Sequence, residues 1–309
     1  KRSTATRLSR RQRSSAASGR GIGDFLDQVY TLLKKTPIRP KVKKSIRSET
    51  NIRVSLIGKP NVGKSSLFNK LIGEEKVIVS PVPHTTREPF DTALIYEFEG
   101  KKHAITFVDT AGIRRKAKVA GGLEKQGVSK SIEQIQESDI ILLVLDASEP
   151  LSSQDLQLGG LIEMRSKSVI IIINKWDLAK DNSDNFRNEV KKKIYGYFPH
   201  LNFAPILFVS SLTSYRTHQI FPLIIQVEQS RKTEIPQATL TEFIKTVTHE
   251  HRPARGKGTR HPEIIGLRQL NSAPPVFEIF IKHRTSLHRS YLHFIENRLR
   301  EQFDFLGTP

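Results

Sequence analysis

The sequence predicts an α/β fold, a doubly wound and mostly parallel sheet, followed by a small α+β domain. Three observations lead there. Continuous apolar, β-branched runs recur at residues 140–145, 169–173 and 206–209, as strands buried on both faces of a parallel sheet require. Helix-spaced segments lie between those runs, the order that wraps helices over both faces. After Arg231 that alternation stops and shorter elements follow. A length of 309 residues fits about two domains of roughly 100–200 residues each.

Taken in order, residues 1–49 are basic and rich in Ser and Arg, with Arg10, Arg11 and Arg13 in one cluster and Lys41, Lys43 and Lys44 in another. Between them Phe25, Leu26, Val29, Tyr30, Leu32 and Leu33 fall at helical spacing. Pro37 and Pro40 end that helix, because proline disfavours helix in the residue before it. Residues 50–231 hold the predicted sheet. Strand 54–57 runs into a glycine loop and then a helix through Leu67, Phe68 and Leu71; strand 105–108 and the three apolar runs follow. Helices are expected at 124–136, 153–164 and 185–195. In residues 232–309, a helix at 240–247, a basic loop at 252–262, strands at 264–270 and 276–281 and an amphipathic helix at 290–303 make the small domain.

Composition narrows the function classes. The chain has no cysteine, which excludes disulfides and thiolate metal sites and fits a cytoplasmic location. No apolar run reaches the roughly 18 residues a membrane helix needs, so no membrane role is expected. The first residue is Lys1 rather than Met, as in a fragment or processed form. The net charge is +19 and the pI about 10.1, a balance that favours a polyanion through phosphate neutralisation and counterion release.

The chemistry sits in the larger domain. Gly58-Lys59-Pro60-Asn61-Val62-Gly63-Lys64-Ser65 has the spacing of a phosphate loop, with a strand before it and a helix after it. Its glycines let N–H groups turn toward phosphate oxygens at a helix N-terminus. Lys64 is the candidate for the β- and γ-phosphates and Ser65 for Mg²⁺. Asn174-Lys175-Trp176-Asp177 follows an apolar strand, at the strand end where open α/β sheets bind ligands. A carboxylate there accepts from the ring N–H and exocyclic amine of guanine, and adenine lacks those donors. That selects GTP and GDP over ATP and disfavours a phosphate-loop kinase. Asn174 fixes the loop and reads the purine edge. Asp109-Thr110-Ala111-Gly112 follows strand 105–108, with Asp109 holding Mg²⁺ through water and the Gly112 N–H sensing the γ-phosphate. Thr86, in Thr85-Thr86-Arg87, is the candidate to close on Mg²⁺, and Ser210-Ser211-Leu212 could touch the base through backbone N–H groups.

With these residues in hand, the sequence resembles the Der (EngA) family of bacterial double-GTPase ribosome-assembly proteins. The resemblance rests on the phosphate loop with Leu67-Phe68-Asn69, on Thr85-Thr86-Arg87, on Asp109–Gly112 with Ile113-Arg114-Arg115, on Gln154-Asp155 and on Asn174–Asp177, which are similar to the family's second GTPase domain. Pro274-Pro275-Val276-Phe277, Tyr291, Glu296-Asn297-Arg298-Leu299-Arg300 and Gly307-Thr308-Pro309 resemble its KH-like RNA-binding domain. Ser15-Ala16 and Gly19-Arg20-Gly21-Ile22 resemble the end of its first GTPase domain, so 1–49 reads as that end plus a linker. The resemblance implies a P-loop GTPase domain at 50–231, a KH-like domain at 232–309 ending before the family's last strand, and GTP hydrolysis. It also implies ribosomal RNA or the large ribosomal subunit as partner, with no DNA expected, in a monomer. His84 departs from the glycine usual before Thr-Thr, and Ser211 from an alanine. Ile113 stands where other GTPases carry a water-orienting glutamine, and an aliphatic side chain cannot polarise water. The resemblance supplies a substitute: Asn61 matches an asparagine that coordinates K⁺ in related GTPases.

The competing reading is an RNA-binding scaffold whose GTP site turns over little. A GTPase for tRNA modification would need a cysteine-bearing C-terminal motif, and one for membrane transport would need membrane spans. The tail lacks the Gly-x-x-Gly loop of ordinary KH domains, but Lys257, Arg260, Arg268, Arg284 and Arg289 are available for phosphates.

Overall fold

The structure, a computed structural model, describes residues 51–79, 91–110, 124–253, 262–282 and 286–309. The basic segment 1–49 with its expected helix, Lys257, Arg260 and Arg284 lie outside the described residues. Thr50–Pro309 forms one compact unit.

Strand β1 (Asn51–Ile57) leads into α1 (Lys64–Ile72), followed by β2 (Val77–Val79), β3 (Thr92–Phe98) and β4 (Lys101–Phe107). Then come α2 (Glu124–Glu137), β5 (Ile140–Asp146), α3 (Ser153–Glu163), β6 (Ser168–Asn174), α4 (Asp184–Tyr197), β7 (Ile206–Phe208) and α5 (Ile220–Arg231). The seven strands form one sheet in the order β2-β3-β4-β1-β5-β6-β7. β4, β1, β5, β6 and β7 are parallel, while β2 and β3 run antiparallel at one edge.

The two-sided burial expected of the apolar runs is visible residue by residue. Along β5, Ile140, Leu142 and Val144 enter the core beneath α1 and α5. Ile141, Leu143 and Leu145 enter the core beneath α3 and α4. β6 divides in the same way, with Ile170 and Ile172 on one face and Val169, Ile171 and Ile173 on the other.

Three elements go beyond the sequence expectations. β2 is only three residues long, and β3 carries apolar residues on both faces although only Leu94 and Tyr96 are buried, because this edge is only partly covered. α5 is an Ile- and Val-rich stretch with Pro222 in its first turn, where a missing N–H costs the helix nothing. That composition reads as strand until α1 and the sheet supply a surface for Phe221 and Ile224.

Beyond α5, α6 (Gln237–Glu250), the hairpin β8 (Ile264–Ser272) and β9 (Pro275–Ile281), and α7 (Arg289–Phe303) build a second core. Leu240, Phe243 and Val247 of α6 meet Leu267 of β8 and Tyr291, Ile295 and Leu299 of α7 there. Arg268 pairs with Glu278 across the hairpin at 2.7 Å and lies over the Phe280 ring. No helix of the described residues is long and apolar enough to cross a membrane.

Candidate nucleotide-binding site

The motif residues gather at the C-terminal ends of β1, β4, β6 and β7, one rim of the sheet. Helix α1 begins directly at Lys64 after Gly63, whose φ of 93° is left-handed, and no side chain caps it. Its first N–H groups therefore face the loop rather than a capping oxygen. Asn61 also takes a positive φ, 65°. A Cβ on Gly58 would run into the Val144 carbonyl, and one on Gly63 into the Asn174 amide, so both glycines are required by close approach. The Lys64 ammonium donates to the Gly58 carbonyl at 2.7 Å and to the Lys59 carbonyl at 2.6 Å, which centres the charge in the loop. Ser65 is half-buried in the first turn of α1.

Asn174 is the keystone of this rim. It is fully buried, its Nδ2 donates to the Val62 carbonyl at 2.8 Å, and its Oδ1 accepts from the Ser211 N–H at 3.1 Å. One side chain thus joins the phosphate loop to the loop after β7. Both of its functional groups, expected to fix the loop and read the purine edge, are engaged by protein. Lys175 has φ 61° and reaches Asp146 at 2.6 Å. Burial raises the Asp146 pKa, but hydrogen bonds from Lys175 and Ser148 outweigh it and hold the carboxyl below its ordinary value. The Trp176 N–H donates to the Val209 carbonyl at 3.0 Å while its ring packs on Phe208 and Phe186. Asp177, in the short 3₁₀ turn Trp176–Leu178, is left exposed at the rim.

In the Ser210-Ser211-Leu212 loop, the Ser210 N–H donates to the Tyr215 carbonyl, and the Ser210 hydroxyl accepts from Thr213 N–H. The Ser210 and Ser211 N–H groups are thus both engaged within the protein, while Leu212 is 83% exposed.

Asp109 has a left-handed φ of 50°; its N–H donates to Asp91 Oδ1 at 3.0 Å and its Oδ2 accepts from Gln134 at 2.8 Å. The Thr110 hydroxyl meets that of Thr92 at 2.8 Å. Thr86, Ala111, Gly112 and Ile113, with His84, lie outside the described residues.

Sequence reasoning missed Asp91, Gln134 and the acids around Lys59. The Lys59 ammonium meets Glu149 at 2.8 Å and Asp155 at 3.6 Å, and the Glu149 hydrogen bond is the main reason its pKa is raised. Asp155 doubles as the capping box of α3 with Ser152. A Ser-x-x-Asp signature marks that helix start, but nothing local marks its reach to Lys59.

Residues 53–175 match a family model described as 50S ribosome-binding GTPase, and residues 234–309 one described as KH-domain-like of EngA bacterial GTPase enzymes, C-terminal. GTPase Der of Alkaliphilus metalliredigens is 39% identical over 296 residues, covering 96% of this chain and 64% of that protein. GTPase Der of Chloroflexus aggregans is 36% identical over 295 residues, covering 96% of this chain and 63% of that protein. The chain is similar to the Der (EngA) family along nearly its whole length. It spans 63–65% of the length of the Der relatives it matches. The match to the GTPase model takes in the phosphate loop, Asp109-Thr110 and the first two residues of Asn174–Asp177; the Der KH-like model begins at Glu234. A solved structure of Era with MgGDPNP and a 16S ribosomal RNA fragment aligns at TM-score 0.42 and 21% identity, covering 82% of this chain and 88% of that one, a likeness too slight to decide anything.

Proposed function

We propose that this chain binds GTP and GDP with Mg²⁺, hydrolyses GTP, and acts on ribosomal RNA in assembly of the large ribosomal subunit. The observation that carries this reading is Asn174, which locks the phosphate loop to the Ser211 loop while Asp177 projects from the same strand end. An exposed carboxylate suited to the guanine edge and a lysine-centred loop suited to phosphates share one rim, which supports this reading. Lys64 grips the β- and γ-phosphates, and Ser65, Thr86 and, through water, Asp109 hold Mg²⁺, which neutralises charge on the transferring phosphoryl group. Gly112 senses the γ-phosphate. With the Ser210 and Ser211 amides already engaged, the base contact of that loop falls to Leu212.

Asn61 coordinates K⁺ beside the phosphates and so offsets developing negative charge. Its exposed position and left-handed backbone within the loop support that role. The reading divides the chain into a GTPase domain at 50–231 and a KH-like domain at 232–309, acting as a monomer. The net charge of +19 and the match to a ribosome-binding GTPase model support the RNA partner.

Single-turnover GTP hydrolysis in K⁺ and in Na⁺, alone and with large ribosomal subunits, is the test. Turnover is expected to be slow, faster in K⁺ and faster again with subunits. Equal rates in both cations would remove the role of Asn61. Subunit pelleting without hydrolysis would leave an RNA-binding scaffold.

A further inference from the structure

Beneath the rim, hydrogen bonds close a ring around one arginine that the site motifs do not include. Arg53, in β1, donates from NH2 to Asp91 Oδ2 at 3.3 Å and from Nε to the Glu137 carbonyl at 2.8 Å. The Asp91 side chain is fully buried, and a buried carboxylate requires a charge or donors to offset its desolvation. Its other oxygen accepts the Asp109 N–H. Glu137 is the last residue of α2, and one turn earlier the same helix carries Gln134, which donates to Asp109 Oδ2. The ring therefore runs from Asp109 through Asp91, Arg53 and α2 back to Asp109. Its effect is specific: a non-glycine residue at φ 50° is strained and persists only where its surroundings hold it.

The same arginine is anchored toward the other part of the chain. Its backbone N–H donates to Asp139 Oδ2 at 3.1 Å, and Asp139 Oδ1 accepts from Arg231 at 3.1 Å. Arg231 ends α5, the last helix before the KH-like core. Arg53 thus ties three segments to β1: the start of β3, the end of α2 and the end of α5.

We propose that Arg53 and Gln134 are positioning residues for the metal-facing carboxylate of Asp109, Arg53 acting through Asp91 on the backbone and Gln134 directly on the carboxylate. The proposal rests on the GTP and Mg²⁺ reading of the site. Groups that orient a metal ligand from behind change metal affinity or activity by about 10- to 100-fold when removed.

The test compares the chain with its Arg53→Met, Arg53→Lys and Gln134→Leu variants. Three readouts are taken: the Mg²⁺ concentration giving half-maximal GTP turnover, GDP affinity in excess EDTA, and the unfolding temperature. Arg53→Met and Gln134→Leu are each expected to raise the Mg²⁺ midpoint roughly tenfold while metal-free GDP affinity stays within about twofold. Arg53→Lys, which keeps the charge on Asp91 and loses the fork to Glu137, should fall between. Gln134→Leu leaves the buried Asp91–Arg53 pair intact, so it carries the test if Arg53→Met fails to fold. An unchanged Mg²⁺ midpoint in Gln134→Leu overturns the proposal. So do variants that lose metal-free GDP affinity and thermal stability in proportion, which is what a merely structural role gives. A wild-type chain that binds no guanine nucleotide brings down the reading of the site and this proposal with it. A wild type that turns over GTP beside unmoved variants brings down only the proposal.

Discussion

The two ends of the seven-stranded sheet are built on different principles. At the C-terminal ends of the strands, three short loops meet through one buried side chain, Asn174, and leave Pro60, Asn61, Asp177 and Leu212 exposed. At the opposite end, the start of β6 receives the end of the chain. The Val169 N–H donates to the Gly307 carbonyl at 2.7 Å, the Gly307 N–H to the Phe203 carbonyl at 2.9 Å, and Thr308 is fully buried. Arg300 of α7 donates to the Thr308 carbonyl at 2.6 Å and lies over the Phe203 ring. One end gathers short motifs whose residues are contiguous within each loop but which lie as much as 112 positions from one another. The other is closed by single contacts between the last residues and β6, up to 140 positions apart, and it fastens the KH-like part to the sheet. Stability and ligand recognition should therefore respond separately to changes at the two ends.

The largest expected effect is on recognition alone. Asp177→Asn removes a charged acceptor from guanine, and hydrogen bonds to charged groups contribute about 1.5–3 kcal/mol each. GTP affinity by calorimetry should fall on the order of a hundredfold, xanthosine triphosphate should gain, and the unfolding temperature should hold because Asp177 is exposed. Asn174→Ala should blur the distinction between the ends. It strands the Val62 carbonyl and the Ser211 N–H, at roughly 1–3 kcal/mol for each buried group left unpaired. Thermal stability and nucleotide affinity should then drop together.

Gly307→Ala tests the far end. Gly307 has φ 65°, and a Cβ there would sit 2.6 Å from Val227 Cγ2 and 3.0 Å from the Val169 carbonyl oxygen. Overpacking of this kind costs about 1–3 kcal/mol. Unfolding should shift to lower temperature, with guanine-nucleotide affinity unmoved.

The smallest effect concerns acid. Burial alone would raise the Asp146 pKa, but hydrogen bonds from Lys175 and Ser148 hold it below its ordinary value. A depressed carboxylate contributes stability that is present above the unfolded-state pKa and lost as pH falls through the folded one. Replacing Asp146 by Asn should therefore flatten the loss of stability below about pH 4, read by denaturant melts across pH.

Much of the rim was legible because its signals are local. The phosphate loop announces itself through glycine spacing between a strand and a helix, and Asn174–Asp177 through its place after a continuous apolar run. The β3 edge was not legible, since Ala93 and Ile95 on its less covered face mask the inward alternation of Leu94 and Tyr96. α5 was hidden by β-branched residues and Pro222. Asp91, Gln134 and Arg53 were invisible for another reason. Each is an ordinary polar residue in its own neighbourhood, and only strand pairing brings β1, β3 and the end of α2 together.

By itself, the sequence determined the α/β fold followed by a smaller α+β part, the parallel sheet buried on both faces, and the glycine loop and Asn174–Asp177 turn at strand ends, because those depend on composition and spacing within a few turns of chain. Tertiary structure alone decided that Asn174 faces protein on both sides, that Asp109 is held in a left-handed backbone by Asp91, and that Gly307 and Thr308 enter the foot of β6. Those contacts join residues 18 to 140 positions apart. No local pattern encodes a hydrogen bond whose partner is fixed by the packing of the whole sheet.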